Sequence, residues 1–158
     1  MAARKIEKVA VLGAGVMGAG IAAHFANAGV PVVLLDIAPE GAADRRTVAA
    51  GAIERMGKTK PAPLMAPRNG RLITPGNLDD DLALLAGCDW IVEAVVERLD
   101  IKQRVYRNLQ AVRKADSIVS SNTSTIPLHK LVEGLPESFQ RDFLITHFFN
   151  PPRYMRLL

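Results

Sequence analysis

The 158-residue chain is 49% hydrophobic and 23% charged, with a formal net charge of +4; this is the make-up of one ordinary soluble globular domain, long enough to bury a core. Its one cysteine, Cys88, excludes an internal disulfide, gives no sign of secretion and makes a reducing cytoplasm the expected setting. Seven cations (Arg45, Arg46, Arg55, Lys58, Lys60, Arg68 and Arg71) crowd one segment, but no aromatic residues lie among them to stack on bases, so the expected partner is not nucleic acid.

The first predicted strand is the apolar run Val9–Leu12, followed by Gly13, Gly15 and Gly18 and by a helix opening near Val16. A second apolar strand, 32–35, ends on an aspartate, Asp36. Strand, G-x-G-x-x-G, helix, strand and acid together make a dinucleotide-binding unit, which the glycine triplet alone would not. Gly13 permits the sharp turn, Gly15 leaves room for a pyrophosphate, and Gly18 lets helix and strand approach closely. The phosphates would meet the free amides and positive dipole end of the helix. Asp36 would accept hydrogen bonds from the adenosine ribose and repel a 2′-phosphate, and no arginine follows it directly, so NAD is favoured over NADP. Residues 9–35 contain no Asp, Glu, Lys or Arg and could be mistaken for a membrane span or signal segment. Five glycines, His24, Asn27 and Pro31 inside it argue instead for buried parallel strands around a helix.

Further along, Pro39 suits the first turn of a helix over 39–56. Residues 57–71, with Pro61, Pro63, Pro67 and Gly70, read as a connector between helices or an exposed excursion. A short helix is expected over 79–85 with acids in its first turn. Then come a buried strand over 90–96, an amphipathic helix Leu99–Val112, a strand over 117–121, a helix over 127–132 and a strand over 143–148. This alternation without hairpin signals implies an α/β fold with a doubly wound, mostly parallel sheet. In such sheets ligands bind beyond the carboxyl ends of the strands. Asp36, Glu97, Asn122, Ser124, His147 and Asn150 all fall there, so a cofactor cleft is expected along that edge.

Among groups able to do chemistry, His147 stands out, because an imidazole titrates near neutrality and this one ends a strand facing the cleft. A structural histidine is an equal reading from spacing alone. His24 reads as packing or surface and His129 as solvent-facing. Cys88, beside the apolar run of the fourth strand, reads as a small core residue. Residues Ser120 to Thr125 form a hydroxyl-rich turn that either caps the next helix or bonds a ligand. No metal cluster and no Ser-His-Asp arrangement is evident.

Four motifs in register then carry a resemblance over essentially the whole chain. The glycine unit with Asp36, the run Val92-Glu93-Ala94-Val95-Val96-Glu97, the turn Ser121-Asn122-Thr123-Ser124-Thr125 and the segment His147-Phe148-Phe149-Asn150-Pro151 resemble the amino-terminal domain of the L-3-hydroxyacyl-CoA dehydrogenases. The stretch Lys60-Pro61-Ala62-Pro63-Leu64 and the ending Pro151-Pro152-Arg153-Tyr154 look most like bacterial multidomain members of fatty-acid β-oxidation. The resemblance implies a Rossmann-type domain over 1–158. NAD would be held by Gly13, Gly15, Val16, Met17, Gly18, Asp36, Ala94, Glu97, Lys102, Asn122, Ser124 and Asn150. His147 corresponds to the family's catalytic base, with Asn150 beside it, and Asn122 and the catalytic-site Ser124 would lie near the nicotinamide and the substrate's 3-hydroxyl. The substrate would be an acyl-CoA, touched by Ser124 and Asn150, with Lys58 and Lys60 near the coenzyme A phosphates.

The same resemblance puts a glutamate that orients the histidine at position 159, one residue past Leu158. The helical carboxy-terminal domain that completes the acyl-CoA site and forms the homo-oligomer interface would follow it. The chain is therefore expected to be a piece of a longer enzyme that binds NAD with little or no turnover alone. Two other readings stay open at this point: an NAD-dependent oxidoreductase of another small 3-hydroxy acid, and a non-catalytic NAD(H)-sensing module.

Overall fold

The structure is a computed structural model that describes residues 5–158. Six strands form its centre: β1 Val9–Leu12, β2 Val32–Asp36, β3 Ile73–Asn77, β4 Trp90–Glu93, β5 Ile118–Ser121 and β6 Phe143–Ile145. All neighbours pair in parallel, in the order β3-β2-β1-β4-β5-β6. This is the doubly wound order, and it reverses between β1 and β4, where such sheets open a crevice. The strand tips lie in register: Leu12 is paired with both Leu35 and Glu93, Glu93 with Ser121, and Ser121 with Ile145. Residues far apart in sequence are thereby brought to one edge.

The apolar strands are explained by helices on both faces. One face packs Val9, Val11, Val32, Leu34 and Val92 beneath helices α1 (Val16–Asn27) and α2 (Thr47–Met56). The other packs Ala10, Leu12, Val33, Leu35 and Ile91 against α3 (Leu99–Val112), α4 (Leu128–Leu131) and α5 (Glu137–Arg141). Each fully buried Val, Leu or Ile contributes about 1.5–3 kcal/mol. Helix α1 carries no acidic residue in its first turn and buries mostly small residues, which lets it lie close on β1. It ends at Gly29, φ +79°, where the Val30 amide donates to the Phe25 carbonyl and the Gly29 amide to that of Ala26. That is the left-handed stop that glycine makes inexpensive.

Several expected bounds move. Helix α2 begins at Thr47, not Pro39, and leaves a loop of residues 37–46 after β2. The expected helix over 79–85 is a 3-10 turn at Leu82–Gly87; the acids precede it and bind arginines instead of a helix dipole. Strands β4 and β6 stop at Glu93 and Ile145, short of the apolar runs that suggested 90–96 and 143–148. After Glu93 the chain bends as its carboxylate accepts the Val95 amide at 2.7 Å, and Val96 turns outward, 60% exposed. The stretch 57–71 is tied down, because the Asn27 side chain donates to the Pro63 carbonyl and accepts from the Met65 amide, both at 2.8 Å. Strand β3 and helix α5 are additions to the expected set. No helix among the described residues is long and apolar enough to cross a membrane.

Candidate functional site

The glycine loop leaves β1 at the carboxyl edge of the sheet, and its three glycines answer to different constraints. At Gly13, φ is +101° and a Cβ would sit 2.5 Å from the Ala94 carbonyl oxygen; at Gly18 it would strike the Gly13 carbonyl. Both are dictated by packing. Gly15 has neither constraint, with nothing within 4 Å of a built Cβ. The space above it is free for a ligand that approaches the backbone. Helix α1 opens there with no side-chain cap, so the amides of its first turn (Val16, Met17 and Gly18) are left for an anion. Asp36 reaches across from the tip of β2, one carboxylate oxygen accepting the Ala14 amide and the other the Ile37 amide at 2.6 Å. It stays half-buried, with lone pairs left for ribose hydroxyls. Open backbone, uncapped amides and a carboxylate at the second strand tip fit a dinucleotide.

The other half of the edge holds the imidazole. His147 follows β6, its Nε2 lies 2.9 Å from the Ser124 hydroxyl, and its ring meets Phe149 edge-on with centroids 4.9 Å apart. The hydroxyl-rich turn does not cap α4, which has no side-chain cap; its groups go elsewhere. Asn122 accepts the Phe148 amide at 2.8 Å, fixing the backbone beside the histidine. The Glu97 carboxylate gathers the turn from the front, accepting the Thr123 hydroxyl at 2.5 Å, the Ser124 amide at 3.0 Å and the Thr125 hydroxyl at 3.2 Å. Burial pushes the Glu97 carboxyl up, but the Thr123 hydroxyl, the Lys102 ammonium and the Ser124 amide outweigh it and hold its pKa at about 2.

Behind that turn lies Lys102, which the resemblance placed along the cofactor and which the structure buries in a charged group instead. Lys102, on α3, is buried, with its ammonium 2.7 Å from Glu93 and 3.2 Å from Glu97. Glu93 is buried as well; its other oxygen accepts the Tyr106 hydroxyl at 2.5 Å and the Ser121 hydroxyl at 2.6 Å. Lys102 thus faces the underside of the edge and reaches it through Glu97. A signal was present: Lys102, Tyr106 and Leu109 recur on one face of α3 at helical spacing. A lysine on an apolar stripe demands a buried partner.

The basic segment divides. Arg45 and Arg46 pair with Asp79, Asp80 and Asp81, and Lys58 pairs with Glu54 at 3.0 Å on the helix surface. Arg55 and Lys60 instead line a cavity of about 540 Å³, walled also by Gly15, Val16, Thr59, Asn150 and Arg153. Ala94 sits where β4 ends, its amide donating to the Leu12 carbonyl at 2.7 Å. His24 is half-buried and edge-on to Phe148. His129 is exposed. Cys88 is buried, its thiol pushed up to about 11 by that burial.

Comparison with known proteins agrees with this geometry. The family described as "3-hydroxyacyl-CoA dehydrogenase, NAD binding domain" matches residues 8–158. A probable 3-hydroxyacyl-CoA dehydrogenase of Deinococcus radiodurans is 51% identical over 98% of this chain and 44% of its own length. A putative fatty acid oxidation complex trifunctional enzyme of Rickettsia felis is 49% identical over 98% of this chain and 21% of its own. The crystal structure of 3-hydroxybutyryl-CoA dehydrogenase from Escherichia coli superposes with a TM-score of 0.79 at 28% identity, over 97% of this chain and 32% of that one. The chain therefore spans less than half the length of these relatives. The match over nearly all its residues, on a doubly wound parallel sheet, makes the chain a member of the 3-hydroxyacyl-CoA dehydrogenase family, of which it is the NAD-binding domain.

Proposed function

We propose that the whole protein oxidises an L-3-hydroxyacyl-CoA to the 3-ketoacyl-CoA in fatty-acid β-oxidation, in a cytoplasmic setting, with His147 as the proton acceptor. One observation carries the reading: the only imidazole at the carboxyl edge among the described residues lies 2.9 Å from a hydroxyl on the neighbouring turn, on the same edge as the glycine loop and Asp36. NAD, when bound, supplies a hydride acceptor for carbon 3. The chain's own residues do the rest. His147 accepts the substrate's hydroxyl proton at Nε2, the atom now facing Ser124. Ser124 keeps that nitrogen aimed at the cleft, and its hydroxyl is placed to bond the substrate oxygen in turn. Glu97 fixes the backbone that carries Ser124. Asn150, on the cavity wall, is placed to bond substrate or cofactor.

Arg55 and Lys60, both on that wall, give the cavity the cationic rim that coenzyme A phosphates need. The test is NADH consumption by the whole protein with acetoacetyl-CoA. His147→Gln should lower kcat by about 10²–10⁴ while NAD affinity holds. A variant turning over at the parent rate would overturn the assignment of the base. Faster use of free 3-keto acids than of their coenzyme A esters would overturn the substrate class.

A further inference from the structure

The loop between β2 and α2, residues 37–46, leaves the sheet just after Asp36 and ends at two arginines. The Arg46 guanidinium makes a two-pronged pair with Asp81, Nε to Oδ2 at 2.9 Å and Nη2 to Oδ1 at 2.6 Å. The Arg45 guanidinium reaches Asp80 at 2.7 Å and Asp79 at 3.3 Å. These acids stand on the turn that follows β3, and β3 is the strand beside β2, with Asn77 in register with Asp36. The Asp36 carbonyl accepts the Leu78 amide at 2.9 Å. The Asn77 side chain shapes the turn, accepting the Asp79 amide at 3.0 Å and the Asp80 amide at 2.8 Å. Asp81 also accepts the Asn77 amide at 2.9 Å and is buried. Withdrawing Arg46 would leave a buried carboxylate without its cation, a costly step.

An extra phosphate on the adenosine ribose would arrive next to Asp36. Phosphates are recognised by guanidinium forks with free donors, and this loop supplies two guanidiniums, held on the turn after β3 whose Asn77 pairs with Asp36. Both are already engaged by carboxylates. We propose that the Arg45–Asp79/Asp80 and Arg46–Asp81 pairs are a second determinant of nucleotide choice: they withhold the cations that a 2′-phosphate would need, so that NADP is refused by engaged arginines as well as by the charge of Asp36. This rests on the family's cofactor lying across the glycine loop with its ribose at Asp36.

The test is calorimetric titration of the chain with NAD and with NADP. Asp79→Asn/Asp80→Asn, at side chains 65% and 51% exposed, removes the charges that hold Arg45 and keeps an acceptor for the Asn77 side-chain amide, which donates to Asp80 at 2.9 Å; Asp81→Asn removes the charge that holds Arg46 and keeps an acceptor for the Asn77 backbone amide. NADP binding should tighten about tenfold in each, the gain should fade as salt rises, and NAD affinity should stay within about threefold. Adding Arg45→Gln/Arg46→Gln should abolish the gain. Unchanged NADP binding in both acid variants would overturn the proposal, as would a gain that survives loss of the arginines, which would assign the effect to acid repulsion alone. A parent chain that binds neither nucleotide would sink the cofactor assignment itself, a result distinct from either.

Discussion

The three glycines of the loop look equivalent in the sequence and are not. Gly13 and Gly18 are pressed by backbone, while Gly15 faces open space. Gly13→Ala places a side chain at φ +101° against the Ala94 carbonyl and should cost at least about 3 kcal/mol of stability. Gly15→Ala should leave the melting temperature nearly unchanged and weaken NAD binding by tenfold or more, on the order of 1.4 kcal/mol. Thermal denaturation beside calorimetry separates the two. If the Gly15 variant binds NAD as the parent does, the phosphates do not pass over it. At this scale the sequence was most informative, because the residues that meet a ligand backbone-first carry their requirement in their identity. His147 was legible as a candidate, but spacing alone did not give its partner: five hydroxyls within residues 120–125 carry no hint which one turns toward the ring, and only the resemblance singled out Ser124.

Elements were legible where burial is two-sided and obscure where it is not. Strands β1 and β2 announce themselves as unbroken apolar runs. Strand β3 reads Ile-Thr-Pro-Gly-Asn, and its proline and glycine are tolerated because it lies at the sheet's edge, so the pattern resembles a loop. The 90–96 run misleads in the other direction, continuing apolar after the ladder has ended at Glu93. Helix α3 carries the element whose loss should be felt most. Lys102→Met leaves Glu93 buried without its cation and should cost about 3–5 kcal/mol. Glu93→Gln/Lys102→Met should cost less than the sum of the single changes, because the two side chains form one network. Urea unfolding of the four proteins measures this. Additive costs would mean that the pair is not a unit.

At the scale of the molecule, two carboxylates hold distant segments together and make the fold acid-labile. Asp89, before β4, accepts the Glu7 and Lys8 amides and the Lys114 ammonium. Lys114 first, then the Glu7 amide, outweigh burial and hold its pKa at about 2. Glu97 is held at about 2 as well. Both folded values lie below the ordinary 3.8 and 4.5, so the stability they add is complete above about pH 5 and is lost as pH falls toward about 2. The melting temperature should therefore hold level from about pH 7 to about pH 5 and drop below that. Asp89→Asn/Glu97→Gln should melt lower at neutral pH and lose less on acidification. A parallel decline in parent and variant would show that other groups control the acid limb. The edge itself, with Asp36, Glu97, Ser124 and His147 brought together, followed from strand alternation. The ion pairs behind it did not, because salt-bridge partners such as Arg46 and Asp81 have no sequence spacing to betray them.

Tyr154 and Arg153 clasp the loop after α2: the tyrosine hydroxyl donates to the Ala62 carbonyl at 3.0 Å, and the guanidinium to those of Ala62 and Leu64 at 2.8 and 3.1 Å. With Asn27 gripping Pro63 and Met65, residues 62–65 are stapled to the body from two sides. A protease that severs the peptide after Lys58 would leave a nicked molecule whose halves stay joined, with the cavity wall upright and the histidine undisturbed.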